Sequence, residues 1–302
     1  LTLEGGDKDK YHMNENSFPV ANANITPKEL TVANASVEVK IYDGTTDAVI
    51  TGTTLQGVIA GDNVTLDNAA YGTFASANVG TDIAVSTSMT LSGGQAANYE
   101  LAQPSGLTGD ITAKEVTLSG SFDANSKVYD GTQNATIVAD NLTLEGNLDQ
   151  DNISLQSPSA SFAQAQPATN ITVSITAGQL DGSDAENYNL SLANAPTTIA
   201  DITPKELTVT NASVQDKTYD GTTNAVITGA SLEGVIAGDN VTFDEAIGSF
   251  ATENVGTDIE VTPAMTITGA QADNYQLAQP ENLSGNITAK ETTIGGDFTV
   301  ED

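Results

Sequence analysis

The sequence predicts an all-β fold, organised as a tandem array of small immunoglobulin-like β-sandwich domains forming an elongated rod, with β-grasp-like units as the runner-up. Three observations lead there. Tyr-Asp-Gly-Thr begins at Tyr42, Tyr129 and Tyr219, about 90 residues apart, and a fixed period of that size marks an array of small domains. Apolar residues alternate with small or polar ones in Leu30-Thr31-Val32, Ile83-Ala84-Val85, Met89-Thr90-Leu91 and Ile171-Thr172-Val173-Ser174-Ile175, the period of a strand with one face on a core. Gly, Asn and Asp interrupt these runs every 8–12 residues or so, as turns do in sandwiches. No long stretch offers a helical face.

Taken in order, residues 1–24 align with the tail of a unit, Leu1-Thr2-Leu3-Glu4-Gly5-Gly6 matching Met89-Thr90-Leu91-Ser92-Gly93-Gly94 and Tyr11 matching Tyr99. Repeats then span 25–110, 111–201 and 202–286, each opening on an Ile-Thr-(Pro/Ala)-Lys-Glu stretch, and residues 287–302 supply the first strand of a following unit. Repeats one and three are the closer pair. Gly57 to Val64 is identical to Gly234 to Val241, whereas repeat two reads Gly146-Asn147-Leu148-Asp149-Gln150-Asp151-Asn152-Ile153 there. This pattern points to duplication of a two-repeat block within a longer protein. Asp110 and Asp201 run into the next Ile-Thr without a Gly/Ser linker. Pro27 and Pro204 hold their predecessors extended, so strand should follow strand directly, giving a stiff rod on the order of 100 Å for three units.

The motif residues Tyr42, Asp43, Gly44, Tyr129, Asp130, Gly131, Tyr219, Asp220 and Gly221 are expected to be structural. Asp-Gly suits a tight hairpin, and the tyrosine ring should cover a core edge with its hydroxyl tied to backbone. Asn98-Tyr99, Asn187-Tyr188 and Asn274-Tyr275 resemble a corner that pins a crossing loop. Lysine falls mainly at two repeat-locked positions, Lys28, Lys114, Lys205 and Lys290 in the opening strand and Lys40, Lys127 and Lys217 before the tyrosine. Pairing with a carboxylate or shielding of an edge is expected there, with a lysine–asparagine crosslink as the alternative.

The chain carries 40 acidic and 9 basic residues, a formal net charge of −31, with one histidine and no cysteine. Nine scattered lysines cannot build the positive patch that nucleic acid requires. No apolar span suggests membrane insertion. Disulfides and thiol chemistry are excluded, and His12 alone cannot furnish a Ser-His-Asp site in each repeat; the expectation is no enzyme. Oxygen-rich turns suit hard cations, so Asp110, Asp201, Asp62, Asp239, Asp181, Asp184 and Glu186 are the candidate calcium ligands, Ca²⁺ being the one cofactor suggested. Expected partners are the neighbouring repeats and, through unpaired strands at residues 1–24 and 287–302, other copies head to tail.

Around Tyr-Asp-Gly-Thr, and through Val58-Ile59-Ala60-Gly61-Asp62, Phe250-Ala251-Thr252-Glu253-Asn254-Val255-Gly256-Thr257 and Gly269-Ala270-Gln271-Ala272-Asp273-Asn274-Tyr275, the chain resembles the YDG-type repeats of large bacterial surface adhesins, filamentous-haemagglutinin-like and RTX-type. The resemblance covers essentially the whole chain, and its motifs are structural. It implies an extracellular stalk that projects a distal binding domain from the cell surface, in arrays that calcium often stiffens. Repeat two departs from it with Gln133 and with Asn170 in place of Asp82 and Asp258, which would delete a metal site using that Asp. Repeats that themselves bind host glycan or protein are the competing expectation.

Overall fold

The computed structural model describes residues 4–12 and 22–296, and the chain divides into two compact units, 1–114 and 115–302. Among the described residues every regular element is a strand or a single 3₁₀ turn. The all-β expectation therefore holds, in the form of several curled sheets.

The first unit contains repeat one. Strand Lys28–Ala33 pairs in parallel with Tyr99–Ala102 and antiparallel with Thr54–Gln56, giving a three-stranded sheet. A six-stranded sheet runs in the order Ser36–Val37, Asp47–Thr51, Tyr71–Phe74, Gly80–Thr87, Thr108–Thr112, Lys40–Ile41. Its two outer strands are consecutive in sequence, with only residues 38 and 39 between them. A sheet whose opposite edges lie two residues apart must roll up, and this one encloses Ile50, Phe74, Val85 and Ile111, each at most 7% exposed. The bend at Asn34 (φ 60°) carries the chain from the first sheet into the second; Asn tolerates that left-handed conformation better than most residues.

The second unit contains repeats two and three. Repeat three reproduces both sheets, with Ser231–Glu233, Lys205–Thr210 and Tyr275–Leu277 in the smaller one. Repeat two merges elements into longer strands, Lys114–Ala124 and Ala168–Asp181, within sheets of three and five strands. Most of its buried residues, Phe122, Phe162 and Val173 among them, share one cluster with Leu207, Val241 and Tyr275 of repeat three, whereas Ala225, Phe250, Val261 and Ile287 form a separate cluster inside repeat three's rolled sheet. Between the two repeats, strand Thr197–Thr203 is followed by Pro204 and then strand Lys205–Thr210.

Three expectations need correction. The Ile-Thr pairs drawn as openings of repeats belong by pairing to the strand that closes the preceding one: Ile111 lies opposite Lys40, Ile202 opposite Lys127 and Ile287 opposite Lys217. Asp-Gly makes no hairpin, because the strands flanking it, Lys40–Ile41 and Asp47–Thr51, are not neighbours in their sheet. Among the described residues the ends also lack the unpaired strands expected of them. Strand Leu283–Thr288 is paired on both sides, residues 289–296 form none, and residues 4–12 hold only the 3₁₀ turn Lys8–Lys10. Residues 1–3, 13–21 and 297–302 lie outside the described residues. Even so, Gly5 (φ 126°), the 3₁₀ turn and extended Tyr11 repeat the local path of Gly93 (φ 110°), Ala96–Asn98 and Tyr99.

Rolling the sheet brings two strands into contact at one glycine. A Cβ at Gly109 would meet Val37 Cγ1 at 2.5 Å, and one at Gly285 would meet Val214 Cγ1 at 2.7 Å. Repeat two carries Ala200 and Ala124 at these places, the first buried in its core and the second packed against it, so glycine–valine is traded for alanine–alanine with the loss of one side-chain carbon. Gly285→Ala should therefore destabilise repeat three by about 1–3 kcal/mol, and adding Val214→Ala should restore part of the loss in urea denaturation, a non-additivity expected of touching residues.

Candidate functional site

Each Tyr-Asp-Gly-Thr is a compact ionic turn. Asp43 Oδ1 accepts from the Thr45 backbone N–H at 2.9 Å, from the Thr45 hydroxyl at 2.8 Å and from Lys40 Nζ at 2.8 Å. Asp130 and Asp220 do the same with Thr132 and Lys127, and with Thr222 and Lys217. This aspartate-closed turn needs the next residue at positive φ, which Gly44, Gly131 and Gly221 supply at 75–77°. The ammonium also donates to the Thr45, Thr132 or Thr222 carbonyl, and in repeats two and three it lies 5.5 and 5.7 Å from the Phe162 and Phe250 ring centroids. The lysine thus plugs the rolled sheet's open end, and its hydrogen-bond partners are a carboxylate, a hydroxyl and carbonyls rather than the side-chain amide a crosslink would need. Hydrogen bonding from Lys217 holds Asp220 down at about 2. At Asp43 and Asp130 burial pushes upward, but the lysine and threonine hydrogen bonds outweigh it and the carboxyl pKa falls.

The tyrosine preceding this turn reaches out of its own repeat. Tyr129 donates to Asp239 Oδ2 at 3.0 Å, and Tyr275 donates to the same oxygen at 2.5 Å while accepting from the Ile236 backbone N–H at 3.0 Å. The two rings meet edge to face, centroids 5.5 Å apart at 83°, an arrangement favourable by about 0.5–1.5 kcal/mol beyond area burial. Asn274, 8% exposed, hydrogen-bonds Tyr129 as well. A Cβ on Gly131 would lie 3.6 Å from Ile236 Cγ2, so the turn's glycine also sits against repeat three. Burial first, and then the hydrogen bond to Asp239, pushes Tyr275 up to about 12 and raises Tyr129. The hydroxyl of Tyr129 therefore goes to a carboxylate of the next repeat, where the sequence suggested local backbone.

The inner half of this site recurs in every repeat. Tyr99 donates to Asp62 and accepts from Ile59 N–H, and Tyr188 donates to Asp151 and accepts from Leu148 N–H. Burial and the Asp151 hydrogen bond take Tyr188 to about 12, while the Asp62 hydrogen bond leads the upward shift of Tyr99. These are the corner tyrosines expected from Asn-Tyr, closed on a carboxylate as well as on backbone.

The calcium candidates are dispersed among such structural duties. Asp62 and Asp239 hold tyrosines. Asp110 Oδ1 accepts from the Asp82 N–H and Asp201 Oδ1 from the Asn170 N–H, each at a bulge whose residue has positive φ. In repeat three the neutral Asn286 makes the same bond to Asp258 N–H. Asp184 accepts from Asn152 N–H, and Gln95 and Gln271 replace it in the other repeats with the same bond. A contact that an amide makes as well as a carboxylate is not selected for charge. Asn170, read as a missing metal ligand, serves its left-handed backbone, as Asp82 and Asp258 do. Asp181 and Glu186 are exposed at a strand end and in a 3₁₀ turn. Among the described residues no three acidic or imidazole groups gather around one point.

The sequence model of the YDG domain matches residues 26–106, 112–198 and 203–282. No curated protein and no solved structure matches the chain.

Two outcomes follow. Tyr129→Phe should cost the 115–302 unit about 1–2 kcal/mol, and Asp239→Ala, which strands two hydroxyls, about 3 kcal/mol or more, both read from urea denaturation. Asp220 has its pKa depressed on folding, so its contribution is complete above the unfolded value of 3.8 and vanishes as pH falls toward 2. The melting difference between the parent chain and Asp220→Asn should accordingly shrink between pH 5 and pH 2.

Proposed function

The chain belongs to the YDG domain family, and from that premise we propose that it is a non-enzymatic extender, a stalk segment of a secreted bacterial surface adhesin whose ligand-binding domain lies elsewhere. The observation that carries this reading is the clamp between Tyr129 and Asp239. At the junction of repeats two and three the chain's repeated motif is spent on joining one repeat to the next, which is the property an extender needs and a ligand site does not.

In this reading each repeat is an immunoglobulin-like sandwich unit, and repeats two and three are set in series by the clamp and by the single-residue connection at Pro204. The fused apolar cluster at the junction resists bending, because tilting one repeat would expose Leu207, Val241 and Tyr275 to water. The acidic surface keeps neighbouring stalks apart at −31 per chain, and the repulsion is short-ranged in physiological salt. Lack of cysteine lets a repeat that has been pulled open refold without redox chemistry. Calcium has no part in it; hydrogen bonds and the shared core supply the stiffness.

The alternative, that the repeats themselves bind host glycan or protein, is separated by a binding assay on the immobilised chain against glycan and matrix-protein panels. The extender reading expects no saturable binding, and saturable binding would overturn it. Melting in excess EDTA and then in millimolar Ca²⁺ should agree within about 2 °C. A site held at 100 times its dissociation constant would instead add about 2.7 kcal/mol, a shift of several degrees for domains of this size.

A further inference from the structure

Asp-Gly occurs at Asp43, Asp130, Asp181 and Asp220, and the dipeptide carries the same latent chemistry at each place. The glycine amide nitrogen can attack Cγ of the aspartic acid, because a residue without Cβ leaves that nitrogen unshielded. A C–N bond forms, one water leaves and the product is a five-membered succinimide. Water then reopens the ring at either carbonyl. One opening returns aspartate; the other leaves isoaspartate, with the Cβ now in the main chain and the α-carboxylate as the side group. The water lost is the water regained, so the change is an isomerisation.

The fold divides these aspartates into two kinds. Asp43, Asp130 and Asp220 each give Oδ1 to a threonine N–H, to that threonine's hydroxyl and to a lysine ammonium. Turning Cγ onto the glycine nitrogen would break all of these charge-assisted bonds together. The same bonds keep the carboxylates ionised, against the upward push of burial at Asp43 and Asp130, and water is lost only from the neutral acid. Asp181 is exposed, and its carboxylate has no hydrogen bond or ion pair among the described residues. It is the last residue of strand Ala168–Asp181 and faces Ser154, the first residue of its partner strand. Pairing on the other side of the strand stops at Ser174. Fraying of one terminal pair therefore frees Asp181, and openings at element ends cost little. Repeats one and three make the same turn with Ser92-Gly93 and Thr268-Gly269; in all three the glycine has positive φ and its Cα packs on an asparagine carbonyl. The turn itself needs no carboxylate.

We propose that Asp181-Gly182 is a site of spontaneous isoaspartate formation, and that the lysine–threonine lock protects Asp43, Asp130 and Asp220 from the same reaction. The added main-chain atom falls where Gly182 packs on the Asn152 carbonyl. Beside it lie the Asn152 N–H bond to Asp184 at 2.9 Å and Asp151, which holds the corner tyrosine Tyr188. Isomerisation therefore loosens the corner of repeat two and leaves those of repeats one and three intact. The repeated ionic turn thereby gains a second use, keeping a labile dipeptide from ageing.

The test is ageing of the full chain for several weeks at physiological temperature and pH, folded and in concentrated urea. Isoaspartate is counted by labelling with an isoaspartate-specific methyltransferase and placed by fragment-ion mass spectrometry, because the isomer has unchanged mass. In the folded chain Asp181 should convert at least tenfold faster than Asp43, Asp130 or Asp220. In urea all of them should convert within about threefold of one another, since only the fold tells them apart. Asp181→Ser, which puts there the residue type repeat one carries, should keep the parent melting temperature and lose the label of the folded chain. Equal rates at all of these positions in the folded chain, a preference for Asp181 that survives in urea, or no conversion of Asp181 in the folded chain when the unfolded chain converts it would each overturn the proposal.

Discussion

The second unit depends on one carboxylate oxygen. Asp239 Oδ2 receives Tyr275 from its own repeat and Tyr129 from the repeat before, which makes the loop carrying Asp239 a shared part of two domains. The loop cannot move without releasing a corner tyrosine that closes repeat three and an incoming tyrosine that closes repeat two. Around this point the two cores join, with Leu207 and Val241 packing into the same cluster as Phe162 and Ile202. Repeats two and three lie together in one compact unit, 115–302.

Behind the clamp stands the rolled sheet. Its outer strands are consecutive in sequence, and the end of the roll is closed by a lysine locked to an aspartate in a turn that only a positive-φ residue can complete. Tyr-Asp-Gly-Thr is thus one device with two outputs. Asp130, Gly131 and Thr132 fix the turn and hold Lys127 over Phe162, and the fixed turn aims Tyr129 at the neighbouring repeat. The glycine–valine contact beneath it explains why one repeat can exchange both members together for alanine.

Much of this was legible in residues. Alternation in Ile83 to Val85 and Ile171 to Ile175 located real strands, and the three tetrapeptides gave the family and the period. The repeat boundaries were legible only to within a few residues, because Ile111 and Ile202 look like the start of an alternating run and are in fact the end of one; strand pairing, not pattern, decides ownership. The clamp was missed because its members are about 110 residues apart and each has a sufficient local explanation. One signal was present: Asp151 persists in repeat two although the stretch around it diverges. The structural duties of the acidic candidates were hidden for a related reason. Asp and Asn at positive φ, and carboxylates capping a backbone N–H, look like ligands in sequence, and only Asn286, Gln95 and Gln271 making the same bonds show that charge is dispensable there.

Scanning calorimetry of the whole chain tests the central claim most directly, that repeats two and three are one cooperative body. The transition that includes repeats two and three is predicted to have a van't Hoff enthalpy equal to its calorimetric enthalpy and a size proper to at least the 188 residues from 115 to 302 rather than to a single repeat. Three transitions of similar enthalpy, one for each repeat, would contradict the account.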